Sequence, residues 1–313
     1  MYGIQVSAPG KLFLSGEYAV LEGAEAVIDS VGRRVVARTV RDNIPQSLLL
    51  KEVKNTVVQF LFNRTGASVG QLPNIDIDST GFSIANHKLG IGSSAAVAAA
   101  CTGALFEWAG LEITNWRDTI CAVATDAHRS YQKGKGSGGD VATSVFGGTI
   151  IFSQSAPIVQ SKAVDIHKVF VWTGNPASTV SLVEKVRHLQ TVAPERYNEV
   201  MRPLVSLAGA LAAAYRQGHT EKLVALTRQY GNAMAMLGDA AQVPVVTPKM
   251  RTIAQIAMKC NGACKPSGAG GGDAVVAIFG ERADAVSFTS RIRAEGMDVL
   301  DFDTHVAGLL REC

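Results

Sequence analysis

The sequence predicts an α+β protein of two domains, and three observations carry that expectation. At 313 residues the chain is long enough for about two domains of roughly 150 residues each. Its first half sets β-branched, partly alternating runs ahead of two helical patterns, while its second half reads as strand, helices, strand, helix, strand. Between the halves, Ser153 to Lys162 mixes Ser, Gln and Pro, the composition of a linker. The boundary is set there, giving an N-terminal domain over 1–155 and a C-terminal domain over 156–313.

Taken in order, Val6 to Leu14, Arg34 to Val40 and Ile75 to Ile84 are predicted strands. An Ala-rich helix follows from Ser94 through Trp108. A second helix is expected to start near Thr114, a suitable N-cap, and to set Trp116, Ile120, Val123, Ala127 and Tyr131 on one face. Its opposite edge carries Asp126, Arg129 and Lys133. The apolar run Val145 to Phe152 reads as a strand closing the domain. Beyond the linker, Lys168 to Trp172 is a strand, and Ser181 to Leu189, Glu195 to Gln217, Thr220 to Leu237 and Pro248 to Cys260 are amphipathic helices. A Gly-rich turn, a strand Ala274 to Phe279, a helix Ala283 to Glu295 and a strand Met297 to Phe302 complete the chain.

Composition excludes several classes. With 47% hydrophobic and 18% charged residues, the signature of disorder is absent. The 30 Lys plus Arg against 27 Asp plus Glu leave +3, too little for binding nucleic acid or an anionic membrane through bulk charge. The most apolar stretches, Ala95 to Phe106 and Leu204 to Tyr215, fall short of the roughly 20 residues that span a bilayer. The opening Met1 to Ser7 has neither the basic nor the apolar region of a secretory signal, so the expected compartment is the cytoplasm. Cys101, Cys121, Cys260, Cys264 and Cys313 are odd in number and scattered, which fits buried or free thiols rather than a disulfide framework. Cys260 and Cys264 have no second Cys or His pair nearby, and no metal is assigned to them. The expected partner is a small-molecule substrate, bound by a monomer or homodimer.

Glycine is the informative excess, with 31 residues against an average near 7%. Three segments concentrate it: Ala8-Pro9-Gly10-Lys11 running into Gly16-Glu17-Tyr18-Ala19-Val20, Leu89-Gly90-Ile91-Gly92-Ser93-Ser94, and Lys265-Pro266-Ser267-Gly268-Ala269-Gly270-Gly271-Gly272-Asp273. In the middle segment, Gly90 and Gly92 let backbone approach an anion, Ser93 and Ser94 supply hydroxyls, and a helix begins at once with its positive dipole end facing the loop. That arrangement builds a phosphate cradle; the plainer alternative is a tight turn with a serine N-cap. A dinucleotide fingerprint is disfavoured because Ala85 to Lys88 makes a poor strand before Gly90. A Walker A loop at Gly10-Lys11 fails because Gln5 and Leu12 stand where Gly and Ser or Thr are required.

In this order and spacing the three segments resemble the motifs of the GHMP kinase superfamily, over the chain from Ala8 to about Phe279. The resemblance implies an N-terminal domain like ribosomal protein S5 domain 2, a C-terminal ferredoxin-like domain with inserted helices, and ATP and acceptor bound between them. Within the superfamily, Gly16-Glu17-Tyr18, the acidic motif Gly136 to Ala142 and the closing Asp273 look most like phosphomevalonate kinase, with mevalonate kinase as the close alternative. A non-catalytic ligand sensor on the same fold is the alternative from another class. The implied site has Asp140 and Lys11 as the catalytic pair and Gly90, Gly92, Ser93 and Ser94 as the ATP phosphate loop, with Ser94 also the Mg²⁺-side hydroxyl. Tyr18, Ser137, Gly138, Ser267, Gly268, Ala269 and Gly270 are expected around the acceptor. Arg129 stands where mevalonate kinases carry a second metal ligand, a Glu. A phosphorylated acceptor needs cations, and Arg129, Lys133 and Lys135 are the nearest in sequence to Asp140. His128, between Ala127 and Arg129, is read as a polar helix residue.

Overall fold

A computed structural model describes residues 3–67, 70–84, 87–134, 136–156, 158–175 and 179–312. Lys135 and Cys313 lie outside the described residues. The chain opens with two long antiparallel strands, β1 (Gln5–Ser15) and β2 (Ala26–Val40), joined through a 3-10 turn over Ala19–Glu22. Register shifts at Pro9/Gly10 and Phe13/Ser15 bend β1 on either side of Lys11.

Helix α1 (Leu48–Thr65) follows, capped by Ser47 Oγ, which accepts from the Leu50 N–H at 3.2 Å. The sequence reading passes over this helix, although Leu49, Leu50, Val53, Val57 and Leu61 are its buried stripe. The predicted strand Ile75 to Ile84 resolves into β3 (Asn74–Asp78), a 3-10 turn and β4 (Ser83–Ile84), which pairs with β5 (His87–Lys88). Then come α2 (Ser93–Trp108) and α3 (Ile113–Tyr131). Helix α2 is buried nearly all round, between the β1–β2 pair and helices α1 and α3, and its alanines permit that close packing. The cap of α3 is Glu112, not Thr114, with no side-chain capping bond; the Ile113 N–H instead donates to Glu107 Oε1 at 2.7 Å.

The expected strand Val145 to Phe152 is half wrong. Residues Gly139–Phe146 form a short helix, α4, and only β6 (Thr149–Phe152) is a strand. Gly147 and Gly148, both at positive φ, separate the two, and at Gly147 a Cβ would lie 2.0 Å from the Gly308 nitrogen. Next come β7 (Val159–Ser161), β8 (His167–Trp172), α5 (Thr179–Val192), α6 (Pro194–Gln217), α7 (Thr220–Ala240), α8 (Pro248–Lys259), β9 (Ala263–Pro266), β10 (Ala274–Phe279), α9 (Arg282–Ala294), β11 (Asp298–Leu300) and β12 (Leu310–Glu312).

Among the described residues the strands form two main sheets. One runs β12-β1-β2-β6-β7, with β3 also pairing with β2; the other is antiparallel, in the order β11-β8-β10-β9. Alternation along the second sheet divides its two faces. Val171, Val275, Ala277 and Phe279 pack with Ile253 and Phe288 of α8 and α9, while Phe170, Val276 and Ile278 join the larger core with the first sheet. The end of the chain returns to the first sheet, where Glu312, Arg311 and Leu310 pair with Gln5, Val6 and Ser7. No helix among the described residues is long and apolar enough to cross a membrane. Cys101, Cys121, Cys260 and Cys264 are free and buried.

Candidate active site

The three glycine segments, far apart in sequence, meet at one place. Strand β1 abuts the middle segment so closely that a Cβ on Gly10 would lie 2.8 Å from the Ile91 carbonyl oxygen, and the Lys11 N–H donates to that oxygen at 2.9 Å. The aliphatic stem of Lys11 runs under Gly92, where a Cβ would approach its Cγ to 2.8 Å. Gly92, at φ 80°, is the N-cap of α2, and no side chain caps this helix. The serine-cap alternative is therefore not the arrangement adopted. From the other side the third segment closes in, since a Cβ on Gly90 would lie 2.5 Å from the Asp273 carboxyl carbon.

Asp140 stands in the first turn of α4, behind the N-cap Gly138 at φ 93°. Ser137 Oγ accepts from the Gly139 N–H at 3.2 Å, and Gly139 packs on Ile28, where a Cβ would come within 2.7 Å of Cδ1. The Asp140 carboxylate is 3.6 Å from Lys11 Nζ, with side-chain exposures of 31% and 9% respectively. Burial alone would raise the Asp140 carboxyl, but Lys11 and His128, together with hydrogen bonding, hold it below the usual carboxylate range. Lys11 Nζ also lies 4.9 Å from the centre of the Phe13 ring.

Behind this pair lies a buried clamp between the first and third segments. Lys265 Nζ donates to Glu17 Oε1, to the Pro266 carbonyl at 2.7 Å and to the Phe13 carbonyl at 3.4 Å. The two side chains are 0% and 2% exposed. Burial lowers the Lys265 ammonium against the pull of Glu17. Ser267 Oγ donates to the Phe13 carbonyl at 3.1 Å, Tyr18 Oη donates to the Ala269 carbonyl at 2.6 Å, and Tyr230 Oη donates to the Glu17 carbonyl at 2.7 Å. Tyr18 holds φ at 60°, a costly conformation for an aromatic residue, stabilised here by that hydroxyl anchor and by burial. The second Glu17 oxygen is buried without a hydrogen-bond partner.

A cleft of about 780 Å³, counting its open mouth, is walled by Lys11, Tyr18, Ser137, Asp140, Gly268 and Ala269 among others. The structure thus brings together six of the residues singled out in the sequence, with the Gly90–Ser94 loop against Lys11. Gly270 packs instead on Val245, where a Cβ would lie 2.0 Å from the carbonyl oxygen. Arg129 and Lys133 are exposed and do not line the cleft; the Arg129 guanidinium reaches the Ser137 carbonyl at 3.4 Å. A second cavity shares Tyr18, Leu21 and Val183 with this wall and carries Arg187 of α5. Sequence reasoning did not select Glu17, Lys265 or Arg187. A charge within the apolar run Leu12 to Leu21 is a signal for Glu17; Lys265 opens the third glycine segment but receives no role from the sequence, and Arg187 is marked only by folding.

Two family profiles match the chain: GHMP kinases N terminal domain over residues 51–148 and GHMP kinases C terminal over residues 210–297. Among curated proteins it is similar to a phosphomevalonate kinase of Streptomyces sp. (strain CL190), at 26% identity over 94% of each chain. It is likewise similar to a mevalonate kinase of Archaeoglobus fulgidus, at 28% identity over 94% of this chain and 98% of the other. Among solved structures, the phosphomevalonate kinase of Streptococcus pneumoniae in complex with phosphomevalonate and AMPPNP superposes with a TM-score of 0.80 at 20% identity, over 96% of this chain and 99% of that one. With both domain profiles matched in order along the chain, the chain belongs to the GHMP kinase family.

Proposed function

We propose that the protein is an ATP- and Mg²⁺-dependent kinase of the mevalonate route to isoprenoids, converting 5-phosphomevalonate to 5-diphosphomevalonate in the cytoplasm, as a monomer or homodimer. The observation that carries this reading is the Lys11–Asp140 pair, placed between the uncapped N-terminus of α2 and the cleft wall. Curated relatives bear the names phosphomevalonate kinase and mevalonate kinase.

In this reading, backbone at Gly90–Ser94 and the positive end of α2 hold the nucleotide phosphates, a fit supported by the helix N-terminus, which Gly92 caps at φ 80° with no side-chain oxygen on its first-turn N–H groups. Ser94 is the hydroxyl on the metal side and Ser93 meets phosphate. Among the described residues no group of three or more His, Cys, Asp or Glu converges, so a divalent cation here would draw most of its ligands from phosphate oxygens and water. When bound, that cation supplies charge neutralisation on the phosphates.

An oxygen of the acceptor phosphate attacks the γ-phosphorus of ATP, a new P–O bond forms, the bond to the β-phosphate oxygen breaks, and ADP leaves. A phosphate monoester with a second pKa near 6 is already a nucleophile at pH 7 and needs no base. Asp140, held below the usual carboxylate range, suits the task of fixing Lys11 and the acceptor rather than accepting a proton. Lys11 offsets the charge of the transferring group. Arg187, like Arg129 and Lys133 an exposed side chain, differs from them in lining the adjoining cavity, which supports it as the cation that meets the phosphorylated end of the acceptor.

One observation favours mevalonate as the acceptor instead: Lys11 is the only Lys or Arg among the described residues walling the main cleft. ADP release with each acceptor, in wild type and in Arg187→Ala, tests the choice. Preference for phosphomevalonate, with its KM raised in Arg187→Ala and the ATP KM unchanged, supports the proposal; preference for mevalonate in the wild type overturns it.

A further inference from the structure

Helix α3 directs one buried polar side chain, His128, at the first turn of α2. Its neighbours on the buried face, Ile120, Ala124 and Ala127, offer no hydrogen bond, and the imidazole is 5% exposed. A polar ring in that position requires a partner, and Nε2 finds it in Ser94 Oγ at 2.9 Å. The Ser94 hydroxyl is not used as a helix cap, because Gly92 occupies that place and no side-chain oxygen bonds the free end.

A hydroxyl has one proton and two lone pairs. To present its oxygen to a hard cation, Ser94 must direct the proton elsewhere. A neutral imidazole protonated on Nδ1 accepts that proton through Nε2, and nitrogen is itself a poor ligand for Mg²⁺, which prefers oxygen. A carboxylate at this position would compete for the cation, whereas an imidazole competes poorly for Mg²⁺ and is suited to orienting the oxygen next to it.

We propose that His128 is a positioning residue that accepts a hydrogen bond from Ser94 and thereby turns the Ser94 oxygen toward the divalent cation accompanying the nucleotide. The proposal rests on the reading of Ser94 as the metal-side hydroxyl. Loss of a partner that orients a metal ligand typically costs about 10- to 100-fold in metal affinity.

The test is calorimetric and needs no turnover: the ratio of the ATP dissociation constant without Mg²⁺ to that with saturating Mg²⁺, measured at one pH. His128→Phe, and His128→Ala should the former not fold, are expected to lower this ratio about 10-fold or more while leaving metal-free ATP affinity within about threefold. His128→Gln, whose carbonyl oxygen can accept the same proton, should restore it. Ser94→Ala should lower the ratio as much, and the Ser94→Ala/His128→Ala double variant no further, because both changes remove one device. An unchanged ratio in Ser94→Ala overturns the Ser94 assignment and this proposal with it. A lowered ratio in Ser94→Ala beside a wild-type ratio in His128→Ala, or additive losses in the double variant, overturns the role of His128 alone.

Discussion

Replacing Lys265 by Met isolates the clamp between the first and third glycine segments. Its ammonium is fully buried and donates to Glu17 and to two backbone carbonyls, so the substitution strands a carboxylate that is 2% exposed. Among the described residues, the one donor left to that carboxylate is the Gly268 N–H, at 3.3 Å. Breaking a buried ion pair from one side costs about 3–5 kcal/mol, because the remaining charge is desolvated and uncompensated. With roughly 2–4 °C per kcal/mol for domains of about 150–250 residues, Lys265→Met should melt about 6–20 °C below wild type, toward the lower end for this longer chain. The double variant Glu17→Leu/Lys265→Met removes both charges and should recover most of that loss, since apolar replacement of a buried pair is often neutral or stabilising. Differential scanning calorimetry at pH 7 reads both. A drop under about 3 °C in Lys265→Met, or a double variant no more stable than the single one, would refute the reasoning.

Asp140→Asn and Lys11→Met, the latter keeping the stem under Gly92, should each cut turnover about 10²- to 10³-fold with ATP affinity within about threefold; near-normal turnover in either removes that residue from the chemistry. Gly92→Val places a branched side chain at φ 80° and against Lys11, so ATP affinity should fall about 10-fold or more, and unchanged affinity in a folded variant would show that the loop is only a turn. The folded state holds Asp140 below its unfolded value, so its ionisation adds stability that is full above the ordinary carboxylate range and is lost as pH falls through the lowered folded value. The melting difference between wild type and Asp140→Asn should therefore shrink on acidification, and a difference constant down to about pH 3 contradicts the pairing. Burial pushes the thiols of Cys101 and Cys264 up to about 12 and that of Cys121 up to about 11. A Cys313→Ser protein should consequently resist a chromogenic disulfide reagent at pH 8 until denatured, and rapid native labelling would contradict the burial.

The elements legible in the sequence are those whose period matched their environment. Helices α5 to α9 carry amphipathic stripes, and β10 is read at its observed bounds because its run is apolar and flanked by breakers. Of helix α4 the sequence reading takes only the last two residues, Val145 and Phe146, into its expected strand, because the short run Val141 to Val145 carries no decisive period; the helix is delimited by Gly138 and Gly147 at its two ends. Helix α1 escaped because its apolar stripe is diluted by exposed Leu48, Val58 and Phe62. The short strands β9 and β12 owe their existence to partners, β10 and β1, which lie elsewhere in the chain.

The site divides along a similar physical line. Residues acting through backbone shape are visible in sequence, because glycine is the residue that permits the positive φ of Gly90, Gly92 and Gly138 and the close contacts beneath them. Residues acting through a single long-range hydrogen bond leave no local trace. Lys265 meets Glu17 across 248 positions, and His128 meets Ser94 across 34. Proximity in sequence to Asp140 is what suggests a basic cluster of Arg129, Lys133 and Lys135, the last of which lies outside the described residues. At the end of α3 Lys133 takes φ 56° as the helix closes, and both Arg129 and Lys133 are exposed rather than turned into the cleft. Arg187 arrives at the neighbouring cavity from a different helix. The charge beside Asp140 is thus set by which elements the fold stacks there, and under the proposed function an acceptor phosphate would be met from α5.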